Sequence, residues 1–272
     1  MGRQVPGAGP GARPTLGEAL QAVFQGVVQE GWRNLMEMVL LSVLWFVFML
    51  SIGVALLAPT AVQKGGGLLL GMLMFLLPVA LVGPACVGLF HAVDAIWAGE
   101  STTIWDSLRH FFGGFRRRYL RSVGLSALWF LVALATFANV VEDRRLVPTF
   151  LLLGIDIVVL YLLLFMVMVN VYLISILATT DLPLMDAVRL GAWHAVANPV
   201  FTLAMVFAPG VVVALAFAVR AFFPVLVGAT LAMFSTAALR HAPLRHPALP
   251  PPATLGPPVD EWPPPPPEPP AS

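Results

Sequence analysis

The 272 residues would make one or two soluble domains by length alone, yet 59% are hydrophobic and 11% charged, against about 25% charged in a soluble domain. So few charges cannot cover a soluble globule of this size, which leaves a membrane-embedded chain. A net charge of +1 gives no general attraction for nucleic acid, and with Cys86 as the single cysteine an intramolecular disulfide is excluded.

Residues 1–14 are rich in Gly and Pro and lack an apolar core, so they predict an unfolded tail rather than a cleaved signal peptide. The helical membrane domain follows over 15–241. A membrane helix needs about 20 mostly apolar residues, and six stretches meet that length. They are 38–58, 68–93 with Pro78 and Pro84 inside, 122–141, 146–180 with one charge at Asp156, 200–219 and 221–239. Only the break around Arg220 separates the last two. Pro78, Pro84, Pro209 and Pro224 are expected to kink or break these spans. Residues 242–272 form a second unfolded tail, with fourteen prolines from position 243 onward. It suits extended polyproline II and a docking role for a protein partner.

Three short segments between the spans share one phase. Each carries an acid (Glu18, Asp106, Asp186) with an apolar residue two before it, two after, six after and nine after. These are Leu16, Leu20, Phe24 and Val27; Ile104, Leu108, Phe112 and Phe115; Leu184, Val188, Ala192 and Ala195. The spacing is a helical stripe. It predicts amphipathic helices over 15–31, 103–115 and 183–196, lying in the interface plane with the stripe toward the bilayer. Thr15/Glu18 and Thr103/Asp106 have the spacing of a capping box. Asp106/Arg109 and Asp186/Arg189 stand one turn apart and can pair. The expected fold is therefore an all-α polytopic bundle of three units, each an amphipathic helix followed by a membrane hairpin.

Arginine and lysine set the orientation. With both termini inside, eleven basic residues lie in inside segments, while Lys64, Arg144, Arg145 and Arg220 lie outside. The three amphipathic helices then share the cytoplasmic side. Arg116, Arg117, Arg118 and Arg121 also fall there and are candidates for contact with anionic lipid.

The run from Gly83-Pro84-Ala85 through His91, Asp94, Gly99-Glu100, Asp106-Ser-Leu-Arg109, Phe115-Arg116 and Arg121-Ser122 resembles the YesL-like family of bacterial membrane proteins over roughly residues 20–240. The Pro-rich tail, the Gly113-Gly114 pair and the basic triplet depart from that pattern. The resemblance implies a multi-pass protein of the bacterial inner membrane, often associated with carbohydrate uptake, with no established activity.

Candidate chemistry is sparse. Asp156 is costly inside a span, by roughly 2.5–3.5 kcal/mol at the centre, and should face the bundle interior. Asn139, Asn170, Tyr161 and Tyr172 are its candidate polar neighbours in an intramembrane proton or cation site. His91 and Asp94 share one helix face, without further ligands at metal-binding spacing. No nucleophile elbow or phosphate loop is present, so no catalytic residue, cofactor or metal is assigned. The expected function is a non-enzymatic accessory or scaffold, or a small permease, for solute uptake. The alternatives are a membrane enzyme acting on lipid, which would gather His91, Asp94 and His194 in one pocket, and a partner-binding protein working through its Pro-rich tail.

Overall fold

A computed structural model describes residues 14–57, 67–101, 103–141, 149–218 and 223–244. The two tails, Lys64, Arg144, Arg145 and Arg220 lie outside the described residues. Nine helices and no strand occur among the described residues: α1 Leu16–Arg33, α2 Leu35–Leu56, α3 Gly67–Trp97, α4 Ile104–Arg117, α5 Tyr119–Val141, α6 Thr149–Thr179, α7 Leu184–Ala197, α8 Pro199–Ala218 and α9 Phe223–His241. Four of them contain stretches long and apolar enough to cross a membrane: Leu35–Leu56, Met72–Trp97, Ile157–Thr179 and Pro199–Ala216.

The helix starts follow the sequence chemistry. Thr15 caps α1: the Glu18 N–H donates to Thr15 Oγ1 at 3.3 Å, and the Thr15 N–H donates to Glu18 Oε2 at 2.8 Å. Thr103 caps α4, taking the Asp106 N–H at 3.2 Å while its hydroxyl donates to Asp106 Oδ2 at 2.8 Å. α7 starts after Pro183 without a side-chain cap. α3 ends in a Schellman turn, with the Glu100 N–H donating to Ala95 O at 2.9 Å and Gly99 at φ 73°, a backbone region that favours glycine. The prolines at 78, 84 and 209 do not break α3 or α8. Beside Pro84, the Gly83 N–H donates to Ser126 Oγ of α5 at 2.6 Å, a polar group supplied by a neighbouring helix.

The nine helices form three units of three: α1–α3, α4–α6 and α7–α9. The last helices, α3, α6 and α9, touch one another at the centre. Each amphipathic helix docks on the last helix of the preceding unit: α4 on α3, α7 on α6, and α1 on α9. The third docking closes a ring. The second helices repeat the pattern, α2 between α9 and α3, α5 between α3 and α6, α8 between α6 and α9.

The face that the amphipathic helices pack on their neighbours is not centred on the stripe of larger apolar residues. All three bury the positions one and five residues after the acid, Ala19 and Val23, Ser107 and Phe111, Ala187 and Gly191, and α7 also buries Leu190 and, from its stripe, Ala195. Eight after it come Gly26, against Trp97, then buried Gly114 and His194. In α1 and α4 the stripe of larger apolar residues lies about a quarter turn to the side, leaving Phe24 43% and Phe112 50% exposed while Leu20, Val27 and Phe115 still pack against the core. The cause is close approach. A Cβ at Gly114 would stand 2.7 Å from His91 Cβ, and one at Gly88 would stand 2.7 Å from Phe111 O. Lipid is as apolar as a neighbouring helix, so small residues rather than greasy ones choose the contact. α4 runs antiparallel beside the end of α3, Gly88 facing Phe111 and His91 facing Gly114. α3 has length to spare: at about 1.5 Å per residue, its 31 residues reach about 46 Å, beyond a hydrocarbon core of roughly 30 Å.

The adjacent glycines separate these effects. A Cβ at Gly113 meets nothing within 4 Å, so Gly113→Ala should raise stability by up to about 1 kcal/mol through helix propensity. Gly114→Leu should lower it, because the side chain would have to displace His91. Thermal unfolding of the purified protein checks the opposite signs. The α1 cap has a pH signature as well. The Thr15 N–H, then the Thr15 hydroxyl, hold the Glu18 carboxyl below its usual pKa. The stabilisation is therefore complete above the ordinary carboxylate range and is lost as pH falls through the lowered value. Protection of the Glu18 and Ala19 amides, taken relative to the intrinsic exchange rate at each pH, should fall over that acid range, and Glu18→Gln should remove the pH dependence.

Candidate functional site: a chamber between the inner helices

Charged and polar side chains at the docking end fasten helices to one another, between units and within them. Arg240, in the last turn of α9, holds Asp94 of α3 at 2.6 Å, and its guanidinium lies 5.6 Å from the centre of the Trp97 ring. The Ser107 hydroxyl of α4 donates to Glu37 Oε2 of α2 at 3.2 Å and pairs with Ser101 Oγ at 2.7 Å. Tyr172 OH of α6 and Thr202 Oγ1 of α8 lie 2.9 Å apart. Asn198, between α7 and α8, clasps the backbone of Leu244: its Nδ2 donates to Leu244 O and its Oδ1 accepts from Leu244 N, each at 2.9 Å.

The basic run divides. Arg118 is only 8% exposed and turns into the protein. One Nη donates to the Ala178 carbonyl and the other lies 3.5 Å from Asp181. Burial draws its pKa below the usual value, with Asp181 opposing that shift. Arg117 reaches the same carboxylate at 3.3 Å and Arg121 at 3.9 Å. Three of the four arginines expected at lipid thus converge on Asp181, which the sequence reading passed over, while Arg116 is exposed. Asp186 and Arg189 pair at 3.6 Å as the spacing predicts. Asp106 takes the Thr103 hydroxyl, and Arg109 is exposed on the next turn.

The expected intramembrane polar site is not gathered. Asp156, Tyr161, Asn170 and Tyr172 all belong to α6, and at about 1.5 Å per residue the first and last are about 24 Å apart along its axis. Tyr161 is 68% exposed. Tyr172 is committed to Thr202, and Asn170 Oδ1 accepts from Trp129 Nε1 at 3.2 Å. The side chains of Asp156 and Asn139 lie outside the described residues. His91, Asp94 and His194 do not meet either. His91 stacks near His110 at 5.8 Å, Asp94 faces Arg240, and His194 packs on Tyr172 at 5.3 Å. No group of three metal-ligating side chains occurs among the described residues.

A chamber of about 430 Å³ lies where the inner helices meet. Leu89 and Phe90 of α3, Ile174 of α6 and Leu231 of α9 form its apolar wall, with Trp45 of α2 and the Pro209-Gly210 step of α8 at the side. Its polar groups are few. Cys86 Sγ accepts from Trp45 Nε1 at 3.3 Å; Asn170 and Ser235 also line it. A smaller cavity of about 190 Å³ shares Cys86, Asn170 and Ile174. Among the lining residues the sequence singled out Asn170 as a polar site candidate, Pro209 as a helix breaker and Cys86 as the single cysteine. Ser235 and Trp45 carry no motif and are brought in by packing alone.

The chain matches no protein-family model, no curated protein and no solved structure.

Two arginines of the basic run should part on mutation. Arg116→Ala should change stability by no more than about 0.5 kcal/mol, as for an ordinary surface site. Arg118→Ala should cost about 2 kcal/mol or more, since it leaves the Ala178 carbonyl without its charged donor. Denaturation of the purified variants measures both.

Proposed function

We propose that the chain is a multi-pass protein of a bacterial inner membrane, of the YesL-like kind, that acts by binding rather than by catalysis: an accessory protein of solute uptake. In this reading α2, α3, α5, α6, α8 and α9 cross the bilayer, and both termini and α1, α4 and α7 lie on the cytoplasmic side. The observation that carries it is the closed ring of three units around a chamber with an apolar wall and no charged lining residue. A permease for a polar solute such as a sugar needs hydrogen-bonding partners along its path, and this wall offers few. The outer surface supports the membrane placement. At ten and fourteen residues after the repeat acid stand exposed Val28 and Trp32 in the first unit, Val196 and Val200 in the third, and exposed Leu120 at the later position in the second. Exposed apolar residues at one register of all three corners suit a common interfacial level, and Trp32 and Trp105 suit an aromatic belt there.

The Asn198–Leu244 clasp favours a second role, in which the Pro-rich tail leaves from a fixed point and presents a polyproline segment to a protein partner. Removing residues 245–272 separates the roles: the fold and the chamber stay, and a tail-dependent partner is lost.

Reporter fusions after Lys64, Arg118, Arg145, Asp186, Arg220 and Arg245 should read out, in, out, in, out, in. A cytoplasmic reading at Lys64 or Arg145, or Arg220 and Arg245 on one side, overturns the six-span reading.

A further inference from the structure

Two polar groups in the chamber have work left to do. Asn170 uses its carbonyl oxygen on Trp129, and its amide N–H groups have no partner among the described residues. The Ser235 hydroxyl, on the facing helix α9, likewise has none. Leaving a donor unpaired in an apolar setting costs about 1–3 kcal/mol. Both groups open into a space of about 430 Å³, within the usual size range for a small-molecule site, roughly 300–1,000 Å³. The lining has no charge to hold an ion. It is also too poor in partners for a polyol, whose every buried hydroxyl would need one.

We propose that the chamber binds an uncharged, largely apolar molecule carrying a hydrogen-bond acceptor, with the acceptor held between the Asn170 amide and the Ser235 hydroxyl. The apolar body lies along Leu89, Phe90 and Leu231. An ester or ketone oxygen has the required chemistry; an alkane does not. The molecule is either the ester region and chain of a bilayer lipid or a free apolar solute dissolved in the bilayer. The inference rests on the membrane reading, since the bilayer is the route by which such a molecule arrives, but the topology fusions can stand while it fails.

The test uses the full chain in nanodiscs of ether-linked phosphatidylcholine, which lack ester carbonyls. Radiolabelled methyl palmitate and hexadecane serve as probes, and retention is counted above that of empty discs. The expected result is about one methyl palmitate per chain, with a preference over hexadecane of roughly fivefold, the worth of one hydrogen bond. Ser235→Ala and Asn170→Leu should each reduce that preference. Val213→Trp, which fills the chamber from α8, should abolish retention of both probes. Loss of methyl palmitate retention in nanodiscs of diester phosphatidylcholine assigns the site to bilayer lipid, and unchanged retention assigns it to a free solute. Equal retention of the two probes by the unmodified chain overturns the proposal. So does a preference that survives Ser235→Ala and Asn170→Leu in variants that elute as the unmodified chain does.

Discussion

The structure depends on how closely an amphipathic helix can approach its neighbour. In a bilayer, apolar surface gains little by moving from lipid to protein, so helices associate where small residues let backbones come together and where polar groups find partners. Ala19, Ser107 and Ala187 stand at equivalent places on α1, α4 and α7, all three buried. Gly26 and Gly114 then bring those faces against the side chains of Trp97 and His91. One docking, of an amphipathic helix on the last helix of the preceding unit, occurs three times. Because α1 uses it against α9, the third repeat meets the first and the chain closes on itself.

Ring closure explains why the charged residues are spent inside the protein. Asp94 and Arg240 are 146 positions apart, and only the meeting of α3 with α9 makes them partners. Arg118, between α4 and α5, is drawn to the end of α6 by the Ala178 carbonyl and Asp181. Such pairs gain more from partial burial than exposed ones do, and they fix which unit sits beside which. The inner helices are pinned at that end, and a chamber remains among α3, α6 and α9.

Much of this was legible in the sequence, and the reason is local. Span lengths depend on apolar runs, the α1 and α4 starts on Thr15 and Thr103 three residues before an acid, and the Asp186–Arg189 pair on one helical turn. The phase of the three acids revealed the repeat. What the sequence did not show was the docking face. It placed the larger apolar stripe of each amphipathic helix toward the bilayer and gave no sign that Ala19, Ser107 and Gly191 mark the face packed on the neighbouring helix. It also assigned Arg117, Arg118 and Arg121 to lipid, because Asp181 lies 60 or more positions away and becomes their neighbour only through the fold. Asn170 stands out as a polar residue within a span, but its hydrogen bond from Trp129 and its place in a chamber that Ser235 also lines are set by helices far apart in sequence.

Closure of the ring by α1 on α9 is the feature that nothing nearby in sequence requires. A Cβ at Gly31 would lie 3.4 Å from the sulfur of Met233. Cysteines at 31 and 233 in a Cys86→Ser background, treated with a short bis-methanethiosulfonate crosslinker in membranes, should join residues near the two ends of one chain. Cleavage at a protease site inserted between the spans should then leave the fragments linked. Fragments that separate, with crosslinks only between different chains, would contradict the closed ring.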